Sequence, residues 1–171
     1  MASTQHTSVL DEIFGGRRPS PSQWVTRERP KIDRIACPWL IIRFIDPKAQ
    51  FHFVPSGDVV AAGKRLKAEP FDIPGVRFSH RGELCSFDAF VTDFKLKDEA
   101  LNTVARIVRG ADTGRLDLAP EAAGLLAISL GLSREFADDH AMLAAGLGVY
   151  DALYAWAKGA RSEKHGWPPA A

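Results

Sequence analysis

Residues 79–88, SHRGELCSFD, gather a histidine, an arginine, two carboxylates and a thiol around a single glycine. In residues 76–80 apolar and polar side chains alternate, and this period of two predicts a short strand with His80 on its apolar face. Gly82 permits a sharp turn after that strand. Phenylalanines at helical spacing then predict a helix, with Ser86 placed to cap it. Chemically active groups therefore converge here, although a satisfied core histidine and an inert thiol are the plainer interpretation.

The size and composition of the chain indicate one ordinary globular domain. Its 171 residues are 46% hydrophobic and 25% charged, with a net charge of +1, which is typical of a folded domain with a sizeable core. The 22 Lys and Arg residues are balanced by 21 Asp and Glu residues, so we expect no direct nucleic-acid contact. No apolar run approaches the roughly 20 residues of a membrane span, so we expect no membrane contact.

The N-terminus and the cysteines indicate a cytoplasmic protein. The first residues contain no apolar segment of the kind found in secretory signals. The two cysteines, Cys37 and Cys85, are too few and too far apart for a disulfide scaffold or a CxxC metal site. We therefore predict reduced thiols and a cytoplasmic location.

Turn and cap signals divide the chain into short strands and longer helices. Strands are predicted at residues 24–29 and 51–55. In addition to the helix after Ser86, helices are predicted in five places: 38–45 with Pro38 in its first turn, 58–67, from Asp98 to Gly110, from Pro120 to Gly131, and from Ser133 or Asp138 to about Lys158.

These elements predict an α+β fold, a predominantly helical single domain with a small two- to three-stranded sheet. We expect a flexible leader with one helical turn over residues 1–22, because that segment is rich in Ser, Gly and Pro. The folded domain is expected over residues 23–158 and a frayed tail over residues 159–171.

Four candidate metal ligands lie at the ends of predicted elements, where a shared pocket can form: His80, Asp112, Glu121 and His140. Helical spacing places His140 on the apolar stripe of the last helix and Glu121 on the inward face of the helix before it. Two imidazoles and two carboxylates suit Zn, Mn or Fe. We predict that at least three of the four bind one divalent metal ion; the alternative is separate ion pairs and helix caps.

Three arginines beside apolar runs or turns are candidates for oxyanion binding: Arg34, Arg81 and Arg109. The planar guanidinium group pairs with tetrahedral oxyanions through two hydrogen bonds, as it does with carboxylates. The alternative is that these arginines, together with Arg43, form ion pairs with nearby aspartates: Asp33, Asp46, Asp88 and Asp112.

The thiols are the candidate reactive groups. Cys37 precedes Pro38 at the predicted start of a helix, where free N–H groups and Arg34 would stabilise a thiolate. The alternative is a small buried hydrophobic residue. We expect Cys37 to be hindered or only moderately activated; Cys85 is the second candidate.

Five phrases of the chain resemble the C-terminal domain of the chromate-resistance protein ChrB family, from about Trp24 to Trp156: RERPKIDRIACPWLI, FDIPGVRFSHRGELCSFDAF, RIVRGADT, LAPEAAGLLAISLGLS and VYDALYAW. The resemblance implies an association with chromate resistance. Larger members of that family carry an N-terminal region that would bind DNA, and some related proteins are fused to rhodanese-like sulfurtransferase modules. The resemblance thus implies a DNA-binding or sulfurtransferase partner protein.

Two functions fit these observations, and a third is plainer. In the first, the domain senses or sequesters a metal ion or a chromate-like oxyanion as a small-molecule ligand. In the second, it is a metal-dependent enzyme, a reductase or a lyase that acts on an oxyanion or a thiol adduct through Cys37 or Cys85. The third is an accessory interaction domain, and a homo-oligomer is compatible with all three. We favour the first, because ligand-type residues are plentiful and no nucleophile and base occur at a recognisable spacing.

Overall fold

Three short parallel strands lie at one side of the computed structural model, which describes residues 4–16 and 19–164 and, within them, side chains from residue 9 onward. They are β1 (Gln23–Arg27), β2 (Gln50–Val54) and β3 (Glu69–Pro70), in the order β2-β1-β3. Trp24 of β1 pairs with Phe51 on one side and with Glu69 on the other. Trp24, Val25 and Thr26 are consecutive and all buried, as expected for a central parallel strand that is covered on both faces.

Seven α-helices within the described residues make up most of the domain, which confirms the predicted α+β class and its small sheet. They are α1 (Thr4–Ile13), α2 (Asp33–Leu40), α3 (Val59–Leu66), α4 (Ser86–Asp93), α5 (Glu99–Asp112), α6 (Ala122–Glu135) and α7 (Asp139–Gly159). Helix α2 joins β1 to β2 and α3 joins β2 to β3, because parallel strands need such crossovers. No helix in the described part of the chain is long and apolar enough to cross a membrane.

The two long helices with aspartate caps begin where the sequence predicts. The Asp98 carboxylate accepts the N–H of Leu101 at 2.8 Å and starts α5, and Asp138 accepts the N–H of Ala141 at 2.7 Å and starts α7. Each carboxylate satisfies a free N–H group of the first turn. Of the two predicted starts of α7, Ser133 and Asp138, the structure therefore has Asp138.

The prediction that a helix starts at Pro38 is wrong. Helix α2 begins one turn earlier, at Asp33, since the Ile32 carbonyl accepts the N–H of Ala36 at 2.7 Å. Pro38 lies inside the helix, where its missing N–H removes one backbone hydrogen bond. The chain then widens into a π-turn at Ile41–Ile45. Cys37 consequently lies within a helix and not at its N-terminus.

The strand predicted at residues 76–80 is also wrong. Of that segment, Phe78 forms one isolated bridge, with Phe71. The N–H of Asp72 donates to the carbonyl of Phe78 at 2.8 Å and closes an irregular loop. The turn predicted at Gly82 is confirmed, because Gly82 has φ 63° and Arg81 exchanges two backbone hydrogen bonds with Leu84.

Two glycines that were predicted to end helices lie inside them. A Cβ atom on Gly110 would be 2.9 Å from the Cβ of Ala122, so this glycine permits α5 to approach the start of α6, and α5 continues to Asp112. Gly131 lies in α6, which begins at Ala122 and not at Pro120 and ends at Glu135. The left-handed position after α5 is Gly114, with φ 71°.

The predicted leader was expected to hold one helical turn, but it contains the ten-residue helix α1. Leu10 of this helix is fully buried in the core. The boundaries 1–22, 23–158 and 159–171 stay predictions. Residues 1–3, 17–18 and 165–171, which fall in the predicted leader and tail, lie outside the described residues.

An aromatic cluster fills the space between β1 and α4. Phe78 and Phe90 stack with ring centroids 4.1 Å apart, and the Trp24 ring meets both of them edge-on or tilted. Fully buried aromatic side chains of this kind supply much of the apolar area that stabilises a fold. They hold the loop that carries His80 against α4.

Candidate metal centre

His80 faces three carboxylates. Its Nε2 atom is 3.7 Å from Asp33 Oδ2, 3.7 Å from Asp72 Oδ1 and 3.0 Å from Asp112 Oδ2. One atom each from Asp33, Asp72 and His80 lie within 4.8 Å of one another, a spacing at which they can hold a metal ion. Ligand atoms on one ion, at bonds of about 2.0–2.2 Å, lie roughly 3–4 Å apart. The three side chains thus approach the geometry of a shared ligand set.

Two of these side chains come from helix ends and two from the connection between β3 and α4. Asp33 is the first residue of α2, and Asp112 is the last residue of α5. Asp72 follows β3, and His80 lies in the loop before α4. The cluster therefore forms where four separate parts of the chain meet.

Asp33 is fully buried and also serves the N-terminus of α4. Its Oδ2 accepts the N–H of Ser86 at 2.6 Å, and its Oδ1 accepts the N–H of Phe87 at 3.4 Å. Burial raises the pKa of Asp33 well above its usual value, and the charges of Asp112 and Asp72 add to that increase. A cation in the centre would oppose both effects.

Asp72 is held by hydrogen bonds on both oxygens. Its Oδ1 accepts the Ser86 hydroxyl at 2.8 Å, whereas its Oδ2 lies 2.9 Å from Arg27 Nη2 and 3.4 Å from Arg34 Nε. The residue has φ 54°, a left-handed conformation that aspartate tolerates better than most residues. These contacts leave Oδ1 directed at His80.

Asp112 completes the cluster. Burial raises its pKa, the charge of Asp72 raises it further, and His80 acts in the opposite direction. Its Oδ1 accepts the N–H of Asp33 at 3.4 Å, which ties the end of α5 to the start of α2. Two of the three carboxylates thus have raised pKa values because they are buried close to one another.

The backbone before Asp33 is strained. Ile32 has φ 42°, which is unfavourable for a β-branched residue and costs about 1–3 kcal/mol. The buried Tyr150 hydroxyl donates to the Ile32 carbonyl at 3.1 Å and helps to hold this conformation. Such strain is found most often at functional sites.

Solvent reaches the cluster through His80, whose side chain is 43% exposed. His80 lines two cavities. One of about 720 Å³ also contains Arg27 and Asp72, and another of about 460 Å³ contains Arg109 and Thr113. A ligand therefore has a route to the carboxylates although Asp33 is buried.

The structure brings together two of the four metal ligands predicted from the sequence, His80 and Asp112. Glu121 lines an apolar groove between α6 and α7. His140 is exposed and not on the buried stripe of α7, and its ring centroid lies 5.3 Å from that of Phe53.

Asp33 and Asp72 take the places of Glu121 and His140 in the cluster. From the sequence, Asp33 is expected only as an ion-pair partner, and Asp72 is not singled out.

Among the predicted oxyanion ligands, Arg34 is part of the cluster through Asp72. Arg81 pairs with Asp93 at 2.8 and 3.1 Å, and Arg109 pairs with Asp88 at 2.7 and 2.9 Å. Arg43 likewise pairs with Asp151. The alternative, ion pairing with aspartates, therefore applies to Arg43, Arg81 and Arg109. Asp88 is one of the aspartates named for that alternative, whereas Asp93 and Asp151 are not.

Both thiols are fully buried. Burial raises the pKa of Cys37 well above its usual value, and the Asp33 charge adds to this effect. Burial also raises the pKa of Cys85. The N–H of Cys85 donates to Asp88 Oδ2 at 3.0 Å, so Cys85 rather than Ser86 occupies the N-cap position of α4.

Together, these features define a mostly helical α+β domain with a histidine–carboxylate cluster at the junction of its elements. A family model described as "ChrB, C-terminal domain" matches residues 24–157, and the chain belongs to that family. It is 36% identical over 133 residues to Protein ChrB of Cupriavidus metallidurans, a match that covers 77% of this chain and 40% of the relative. The chain thus corresponds to about two fifths of the length of that curated relative. No solved structure matches it.

Proposed function

We propose that this domain is a ligand-binding module of chromate resistance that senses or sequesters a divalent metal ion. The metal would be held by His80, Asp33 and Asp72, with Asp112 beside them. The observation that carries the proposal is the position of His80 Nε2, which lies 3.0–3.7 Å from an oxygen of each of three carboxylates. Carboxylates packed so closely repel one another unless a proton or a cation lies between them.

The donor atoms fit a metal of the first transition row. Carboxylate oxygens with one imidazole are suited to Mn²⁺ and Fe²⁺, and Zn²⁺ takes the same types of ligand. The raised pKa values of Asp33 and Asp112 mean that binding a metal would release protons, so affinity should increase with pH. Neither thiol belongs to this group within the described residues.

The alternative function, a reductase or lyase that uses Cys37 or Cys85, has less support. A cysteine reacts as its thiolate, and burial raises the pKa of both thiols. Neither thiol is exposed to solvent. A binding domain agrees better with these surroundings than an enzyme with a cysteine nucleophile or electron donor.

The chromate context comes from the family. The related ChrB protein is longer than the matched region, so we propose that the occupied domain acts on a further module, such as a DNA-binding or sulfurtransferase partner protein. Whether metal is bound to the domain would then signal to that module the presence of the ion or the oxyanion against which the resistance system acts.

Calorimetric titration of chelator-treated protein with Mn²⁺, Fe²⁺ and Zn²⁺ tests the proposal. We expect His80→Ala and Asp112→Asn to weaken binding by at least about tenfold. His140→Ala and Glu121→Gln serve as matched controls, because both side chains lie in other surroundings. Full binding by His80→Ala would contradict the proposal, and loss of binding in His140→Ala would favour the ligand set predicted from the sequence.

A further inference from the structure

A cavity of about 720 Å³ adjoins the candidate metal centre. It is lined by Arg27, Asp72 and His80 together with the loop that contains Ile73 and Val76. The volume lies in the range of small-molecule sites, about 300–1,000 Å³. The cavity gives a ligand access to the histidine–carboxylate cluster and to one arginine at the same time.

Arg27 has unused hydrogen-bond donors. Its Nη2 donates to Asp72 Oδ2 at 2.9 Å, but its buried Nε has no partner within the described residues. A guanidinium group carries five N–H donors, and a buried donor without a partner is unfavourable. The Nε atom is closed to a ligand, but the Arg27 side chain is 36% exposed and lines this cavity, so other N–H groups of its guanidinium are able to donate to a further acceptor.

The charges of the cluster also favour an anion once a metal is bound. Arg27 and Arg34 oppose the charges of three carboxylates, so the cluster has one net negative charge when the acids are ionised and His80 is neutral. A divalent cation reverses the balance to one net positive charge. A positive centre beside a partly enclosed cavity attracts small anions.

The other arginines are less available. Arg81 pairs with Asp93 and Arg109 pairs with Asp88, each through two hydrogen bonds. Arg34 donates to the carbonyl of Glu28 at 2.9 Å in addition to its contact with Asp72. Of these arginines, Arg27 is thus the one that lines this cavity, with a guanidinium group that is partly exposed.

We propose that the metal-loaded centre binds a small oxyanion in this cavity and that Arg27 is its recognition residue. The anion is a carboxylate or a tetrahedral oxyanion, since the guanidinium group pairs with both. This inference rests on the proposed function, because the anion site forms only when the cation is present.

Calorimetry with acetate and sulfate as probes tests the inference, with each anion titrated into Mn²⁺-loaded protein and into metal-free protein. We expect at least one anion to bind the loaded protein at least tenfold more tightly than the metal-free protein. In protein saturated with Mn²⁺, Arg27→Gln should weaken that anion at least tenfold, and Arg27→Lys, which keeps the positive charge beside Asp72, should restore part of the loss. Arg81→Gln is the matched control and should bind like the wild type.

The outcomes separate the two proposals. If Mn²⁺ binds but neither anion distinguishes loaded from metal-free protein, or if Arg27→Gln binds anions like Arg81→Gln, the anion site is wrong and the metal site stands. If Mn²⁺ itself does not bind, both proposals are wrong. A preference for acetate over sulfate would identify a carboxylate ligand, and the reverse preference a tetrahedral one.

Discussion

Asp33 shows how one side chain can link folding to a candidate site. Its carboxylate accepts N–H groups at the start of α4 and also faces His80. Replacing it would therefore remove a helix cap and a ligand together. For this reason Asp112 and His80, which have fewer structural contacts, are better positions at which to test metal binding.

Glu69 of β3 gives a prediction about pH. Burial raises its pKa from the usual value of about 4.5 to about 7, although the Arg77 charge opposes the increase. The folded state then holds a proton that the unfolded state has lost between about pH 4.5 and 7, so the stability of the wild type should fall as pH rises through that range. Asp33 and Asp112 also have raised pKa values and add to the decline, so we expect Glu69→Gln to lack the part that Glu69 causes and to be more stable than the wild type above pH 7.

Urea unfolding at a series of pH values from 4 to 8.5 provides the measurement for Glu69. The exposed Glu135→Gln is the control and should follow the wild type. If the stability difference between Glu69→Gln and the wild type did not change with pH, the Glu69 environment would not be the cause of any decline.

The two cysteines give a second prediction at this scale. Because both thiols are buried and their pKa values are raised, we expect a thiol reagent to modify neither of them rapidly at neutral pH. Modification should accelerate sharply once denaturant unfolds the protein. Cys37→Ala and Cys85→Ala assign each rate, and rapid modification of Cys37 in the folded protein would support the enzyme alternative.

At the scale of elements, close packing explains where helices end. Local rules place Gly110 at a C-cap, but α5 continues past it because the glycine lies against Ala122 and the Arg115 carbonyl. The contact stabilises two more helical residues, the second of which is Asp112. Tertiary packing has here overridden a local stop signal.

Gly110→Ala should therefore destabilise the protein by about 1–3 kcal/mol, because the added methyl group overpacks the contact between α5 and α6. Gly131→Ala is the matched control: it also lies inside a helix, but no atom from outside that helix lies within 4 Å of its added Cβ. That substitution should stabilise the protein by up to about 1 kcal/mol. Chemical denaturation measures both, and a stabilised Gly110→Ala variant would show that α5 and α6 are not so closely packed.

At the scale of the whole molecule, the candidate metal centre joins α2, α5 and the loops that precede α4. A ligand that binds only the folded state stabilises it by about 2.7 kcal/mol at one hundred times its Kd. For a domain of this size that corresponds to a rise in Tm of roughly 5–10 °C. We expect Mn²⁺ to produce this rise in the wild type and not in His80→Ala.

Matched ionic strength is required in that thermal experiment, and Mg²⁺ serves as a comparison ion with a stronger preference for octahedral oxygen ligands. An equal shift for all divalent salts would indicate a general charge effect and not a specific site.

The sequence by itself determined the family, the mostly helical α+β class and the starts of α5 and α7. These features depend on local information: phrases of consecutive residues, apolar periodicity and the aspartate caps Asp98 and Asp138. The sequence also placed His80 and Asp112 at element ends and predicted that at least three of the four candidate ligands share one ion, of which the structure brings His80 and Asp112 together.

The tertiary structure alone decided that Asp33 and Asp72 meet His80 and that His140 and Glu121 lie elsewhere. Asp33 is 53 residues from Ser86, whose N–H it accepts, and no pattern within one element reports such a contact. The orientation of the strands, the earlier start of α2 and the continuation of α5 likewise depend on packing between distant segments. Local propensities are weak compared with this packing, so the ligand set became visible only when the elements were assembled.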